Sequence, residues 1–169
     1  PMQVCPRYEQ RSLASEATLR AAFEFRNDVA PWLIYDTNYW LFGETRDKIP
    51  PTYCDADPSA MIDFQTDKIE RHMQEYDDCY IPFLMPWYGT GVLASGFGVG
   101  IEFLDRMDPA VDLAPISDVA ELLDLRSPDP DVDGLMPRVM NAIASMRKQT
   151  DLPVGVTDCQ GPLTTALQI

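Results

Sequence analysis

Positive charge is scarce in this sequence. Thirteen Lys and Arg stand against 27 Asp and Glu, a formal net charge of −14 over 169 residues, and there is one histidine. Nucleic-acid binding needs clustered Lys or Arg to neutralise phosphates, and no such cluster exists, so that class is set aside. Attraction to an anionic membrane surface is disfavoured for the same reason. No apolar run approaches the roughly 20 residues that span a bilayer. The opening Pro1-Met-Gln-Val-Cys-Pro-Arg7 has neither the basic segment nor the apolar core of a secretory signal. A first residue of Pro rather than Met is what a processed or trimmed chain would show. Repeats with a period of 20–50 residues and low-complexity tracts are also missing.

Cysteine is sparse and dispersed. Cys5, Cys54, Cys79 and Cys159 form no C-x-x-C pair and have no histidine at zinc-ligand spacing, so they read as reduced thiols. Together these features point to a soluble cytoplasmic protein. The apolar fraction of 46% and aromatic fraction of 10% are those of a packed domain.

What is present alternates between helical and strand-like stretches. Ser12 to Asn27 reads as a helix with Ser15 as its N-cap. Val29 to Tyr35 is an apolar run of strand length, interrupted by Pro31. Asp57-Pro58 opens the clearest helix, with Ile62, Ile69, Met73 and Tyr76 on its buried stripe. That helix ends near Asp77-Asp78, read as solvated; His72 lies on it and reads as partly exposed and structural. Cys79 to Met85 is a continuously apolar run that suits a strand covered on both faces. Pro86 to Gly100 carries five glycines and reads as a loop, with an extended segment over Val99 to Leu104. The glycines do not follow G-x-G-x-x-G ahead of a helix, which removes support for a dinucleotide site. A short helix runs from Ser117 or Asp118 to Leu125, and a longer one from Leu135 to Lys148. Leu152 to Thr157 is the third strand-like run, and Gly161-Pro162 opens a last helix.

Strands alternating with amphipathic helices predict an α/β fold with a parallel sheet. Three stretches add a family resemblance. They are Arg20-Ala-Ala-Phe-Glu-Phe25 with the run at Trp32–Tyr35, Asp77-Asp-Cys-Tyr-Ile-Pro-Phe-Leu84 with Gly91-Val-Leu-Ala-Ser-Gly-Phe-Gly98, and Leu152-Pro-Val-Gly-Val-Thr-Asp-Cys-Gln-Gly-Pro-Leu-Thr-Thr-Ala166. In this order they resemble the uroporphyrinogen decarboxylase superfamily, whose members share a TIM barrel. The resemblance runs from about Arg20 onward and covers the N-terminal half of that barrel. A (β/α)₈ barrel takes roughly 250 residues. The fold expected is therefore α/β, the N-terminal half of a TIM (β/α)₈ barrel completed by a second chain or a missing C-terminal segment. Residues 1–28 would be an N-terminal helical extension and residues 29–169 the first part of the barrel. The alternative is a different, smaller α/β arrangement.

The resemblance implies one of two activities. The decarboxylase branch carries an Arg-containing motif after the first strand and an Asp in the second. Here Ile34-Tyr-Asp-Thr-Asn-Tyr-Trp40 holds no Arg and Tyr80 to Met85 holds no Asp, which weakens that branch. The expectation is thus a corrinoid-dependent methyltransferase acting on a small substrate. In that branch zinc turns a thiol into the thiolate that accepts the methyl group, and a corrinoid serves as donor. Its ligands, a His-x-Cys pair and a later Cys, belong to the complementary half and have no match in this chain. The alternatives are a non-catalytic binding or interaction protein of the same fold, or a tetrapyrrole decarboxylase with altered binding residues.

Barrel enzymes place their chemistry at the C-terminal ends of strands. The candidates for substrate binding are therefore Asp36, Asn38, Tyr39 and Trp40 after the first run, Trp87 and Tyr88 after the second, and Asp158 and Gln160 after the third. Trp40, Trp87 and Tyr88 would face a flat macrocycle, and Asp158 and Gln160 would hydrogen-bond a polar group. Each has a plainer role open to it: Asp158 or Gln160 as a helix cap, Asp36 and Asn38 as partners of loop amides, Trp87 and Tyr88 as packing. Cys159 is the one thiol near the functional end of a run. No acid, base or nucleophile is assigned.

Overall fold

The computed structural model of the chain describes residues 6–34, 50–104, 109–112, 116 and 118–169. The Asp57-Pro58 signal is followed by a helix, as its residue types require. Asp57 Oδ1 accepts from the Ser59 N–H at 3.1 Å and the Ser59 hydroxyl at 2.7 Å. From there α2 (Ser59–Glu75) buries Met61, Ile62, Gln65, Ile69, His72 and Met73, one stripe at helical spacing. Ahead of it, α1 (Pro6–Phe23) begins well before the expected Ser12. Ser15, expected to cap that helix, sits buried within it.

The parallel half-barrel does not form. Among the described residues the sheet is two-stranded and antiparallel, with β1 (Ile101–Glu102) against β2 (Ala110–Val111). The runs at 79–85 and 152–157 touch through one isolated parallel bridge, Leu84 with Val154. There the Leu84 N–H donates to the Pro153 carbonyl at 2.9 Å and the Gly155 N–H to the Leu84 carbonyl at 2.8 Å. The described part of the first run meets the second only where the Cys79 N–H donates to the Trp32 carbonyl at 3.0 Å. Proline is the physical reason. Pro31, Pro82, Pro86 and Pro153 each remove a donor a ladder would use. In place of a neighbouring strand, a helix side chain serves Met85. Gln65 Nε2 donates to the Met85 carbonyl at 2.6 Å and Gln65 Oε1 accepts from the Met85 N–H at 2.9 Å.

Helices supply the rest. A short α3 (Val92–Ser95) lies inside the glycine-rich stretch read as loop, and a 3₁₀ turn covers Val119–Asp124. It leads by way of Gly134 into α4 (Met136–Gln149), with Pro137 in its first turn; α5 (Pro162–Gln168) follows the third run. Gly134 holds φ +56°, and a Cβ there would stand 2.4 Å from the Ser95 carbonyl carbon. The Ser95 Oγ accepts from the Leu135 N–H at 2.9 Å, so this turn seats α4 on α3.

The core lies where α2 and α4 close over the two touching runs. Met61, Ile62, Leu84, Tyr88 and Met146 are fully buried, and Tyr8, Tyr53, Val92, Val139 and Ala142 pack with them. Each large aliphatic side chain removed from water contributes about 1.5–3 kcal/mol. Gly98, at φ +95° with open space where a Cβ would point, isolates conformational strain from packing. Gly98→Ala is expected to cost about 1–2 kcal/mol through the left-handed backbone alone. Urea unfolding should show a lower midpoint with an unchanged slope.

Candidate functional site

The ends of the second and third runs converge. The Gln160 N–H donates to the Thr90 carbonyl at 3.2 Å and Gln160 Nε2 to the Thr90 hydroxyl at 2.7 Å. Gln160 therefore joins the loop after residue 86 to the start of α5. Asp158 is exposed, and its Oδ1 accepts from the Cys159 N–H at 2.9 Å, a turn contact of the plainer kind. Trp87 is half-buried; its N–H donates to the Met61 sulfur at 3.3 Å. Tyr88 is completely buried and its hydroxyl donates to the Asp55 carbonyl at 3.3 Å. Burial pushes that phenol up to about 12, although the nearby Arg138 charge pulls the other way. Arg138 itself donates Nη1 to the Cys54 carbonyl at 3.1 Å and lies over the Phe103 ring at 5.5 Å. Asp36, Asn38, Tyr39 and Trp40 lie outside the described residues. Thus Gln160 meets the loop that carries Trp87 and Tyr88, while Tyr88 itself is turned into the core.

Sequence reasoning missed the most concentrated polar cluster. Asp78, read as part of a solvated helix end, has a wholly buried side chain, whereas Asp77 beside it is fully exposed. The Asp78 carboxylate accepts from the Ile34 N–H at 2.9 Å, Arg11 Nη2 at 3.1 Å and the Tyr80 N–H at 3.3 Å. His72 Nε2 stands 3.1 Å from both of its oxygens. Arg11 also donates Nη1 to the Met73 carbonyl at 2.8 Å. The His72 ring packs tilted against Tyr80, with centroids 4.2 Å apart. Burial, with the Asp78 charge adding to it, pushes the Tyr80 phenol up to about 12. A carboxylate, imidazole and guanidinium together could serve proton transfer only where a substrate can reach them. Here His72 and Asp78 are both buried, so the cluster ties α1, α2 and two runs together.

Large apolar side chains are exposed in two stretches of the chain, each with a groove beside it. At the end of α1 Phe23 is 83% exposed and Phe25, at φ +54°, is 95% exposed; Val29 follows at 75%, and Trp32 and Leu33 are little more than half exposed. A groove of about 390 Å³ between Leu19, Phe23 and Ile81 opens there, with Glu16, Arg20 and Glu24 on its rim. In the other stretch Val156, Leu163 and Leu167 are each about three-quarters exposed. A second groove of about 500 Å³ lies between Ile143 and Arg147 of α4 and the 152–156 run.

Among the described residues no group of three His, Cys, Asp or Glu side chains is placed to bind a metal ion, so they do not fit zinc. The face offered to a corrinoid would consist of a half-buried Trp87 and a buried Tyr88. Also among the described residues, no helix is long and apolar enough to cross a membrane. Comparison with protein-family models, curated proteins and solved structures found no match, and the family resemblance rests on the quoted residues alone.

Proposed function

We propose that this chain is a binding protein that works in association with another polypeptide. The observation that supports it is the series of exposed apolar side chains Phe23, Phe25, Val29, Trp32 and Leu33 that follows α1, the first of which lines the α1 groove. Contiguous apolar surface rimmed by charge is characteristic of protein contact sites, because water leaves it at a gain of about 25 cal/mol per Å². Methyl transfer would draw on zinc ligands that the resemblance places in a complementary half, and decarboxylation on an Arg motif with no match in this chain. The interaction reading draws on neither. A cytoplasmic setting belongs to the same proposal: Cys54, Cys79 and Cys159 form no disulfide, and reduced thiols suit that compartment.

Fluorescence of an environment-sensitive dye such as ANS tests the reading. The folded chain is expected to enhance it strongly, and Phe23→Ser with Phe25→Ser to cut the enhancement at least about threefold while the far-ultraviolet circular dichroism stays unchanged. A wild-type chain that leaves the dye dark would defeat the interaction reading.

A further inference from the structure

We infer that the outer edge of the 152–157 run is a self-association site, where a second copy of this chain adds its own 152–157 run antiparallel to the first. The inference rests on the interaction reading above and names its partner. Pairing with Leu84 uses the Pro153 carbonyl and the Gly155 N–H, which therefore face inward. In an extended chain the groups of the intervening residues point the opposite way. The N–H and C=O of Val154 and Val156 therefore face outward, and no hydrogen bond among the described residues engages them. The missing donor of Pro153 lies on the inward side and costs the outer edge nothing. Val156 is 75% exposed, and the groove walled by Ile143 and Arg147 runs alongside.

The occupant follows from register and charge. A two-fold axis at Gly155 sets Val154 of each copy opposite Val156 of the other, so each pair exchanges both of its backbone bonds. Arg147 and Lys148 end α4 just before the run begins, so that even with exposed Asp151 between them and the run this end carries net positive charge, and Asp158 closes the other end. Arg147 makes no ion pair among the described residues, and Asp158 is exposed. Antiparallel addition carries Asp158 of each copy to the Arg147 end of the other; parallel addition would set Arg147 beside Arg147. The edge is thus complementary to itself in one direction only.

The experiment uses the full chain with Cys159→Ser, which removes the exposed thiol. Light scattering at about 100 µM should give twice the 19.0 kDa chain mass. Val156→Pro removes an outward N–H and should weaken association at least about tenfold with unchanged circular dichroism. Gly155→Cys tests the axis independently. A Cβ there meets neighbouring atoms at an ordinary 3.7–3.8 Å, and residues facing each other across such a pair lie about 4.5 Å apart, within disulfide reach. Mild oxidation should then convert most of the chain to a covalent dimer that the Cys159→Ser chain alone does not form. A mass of 19.0 kDa at the same concentration overturns the inference. So does a dimer that survives Val156→Pro and resists the Gly155→Cys cross-link; association would then lie elsewhere, and the interaction reading would stand. A dark dye together with a monomeric mass removes both.

Discussion

Replacing Asp78 with Ala is expected to cost about 3–5 kcal/mol, because it takes the buried partner from a half-buried guanidinium and from His72 and removes the acceptor of two backbone N–H groups. The side chain is fully shielded and receives donors from Ile34, Arg11 and Tyr80, so no water replaces it without a shift of several elements. For a chain of this length the loss corresponds to a fall of roughly 6–20 °C in the unfolding midpoint. Asp78→Asn keeps an acceptor for the Ile34 N–H but loses the charge opposite Arg11, and should fall between the two. The sign of the pH effect is fixed. Burial is the largest influence on this carboxyl and pushes its pKa up, but the Ile34 N–H, His72 and the Tyr80 N–H together hold it below the ordinary 3.8. Its contribution is therefore complete above the unfolded value and is lost as the pH falls through the lower folded value. In Asp78→Ala that part of the acid limb disappears, which a series of denaturation curves between neutral pH and acid would display.

Gln65→Leu is expected to cost about 2–4 kcal/mol, since it leaves the Met85 N–H and carbonyl without partners in the interior and removes a donor to the Tyr53 hydroxyl. Leucine fills much of the same volume, so the loss reports the amide and not a cavity. Gln65→Glu sharpens the point. Ionised, it still accepts from the Met85 N–H but sets a carboxylate against the Met85 carbonyl. Protonated, it donates again, so part of the lost stability should return on mild acidification. Both variants belong at one fixed protein concentration, because any association shifts the midpoint by mass action. A Gln65→Leu chain within about 0.5 kcal/mol of wild type would mean that water reaches Met85 unhindered.

These two residues also mark how far the sequence could be read. The helix after Asp57-Pro58 was legible from its apolar period, although Pro58 takes the N-cap position that Asp57 was expected to fill and supplies no side-chain cap; α4 and α5 carry their prolines in the first turn as expected. The runs at 79–85 and 152–157 are apolar because helices cover them, and burial by helices leaves the same composition as burial in a sheet. Their prolines were the available evidence against a ladder. Nothing local shows that Met85 is paired with a helix glutamine twenty positions earlier. The glycines at positions 91 and 96 hid the single helical turn between them. Asp77 and Asp78 look alike in the sequence, and Arg11 lies near both; what sets Asp78 apart is the Ile34 N–H, 44 residues away, and His72 against its carboxylate. At the candidate site, strand-end logic led to Gln160 and to the loop it binds. For Tyr88 the plainer role, packing, is the one that the structure shows, with its hydroxyl on the Asp55 carbonyl.

Amide hydrogen exchange at Val154 and Val156 reads the outer edge of residues 152–157 without a mutation. At about 100 µM both amides should exchange slowly, and dilution of about a hundredfold should return them to the rate of an open chain while Leu84 and Gly155 stay protected. Fast exchange at Val154 and Val156 at both concentrations would contradict self-association there.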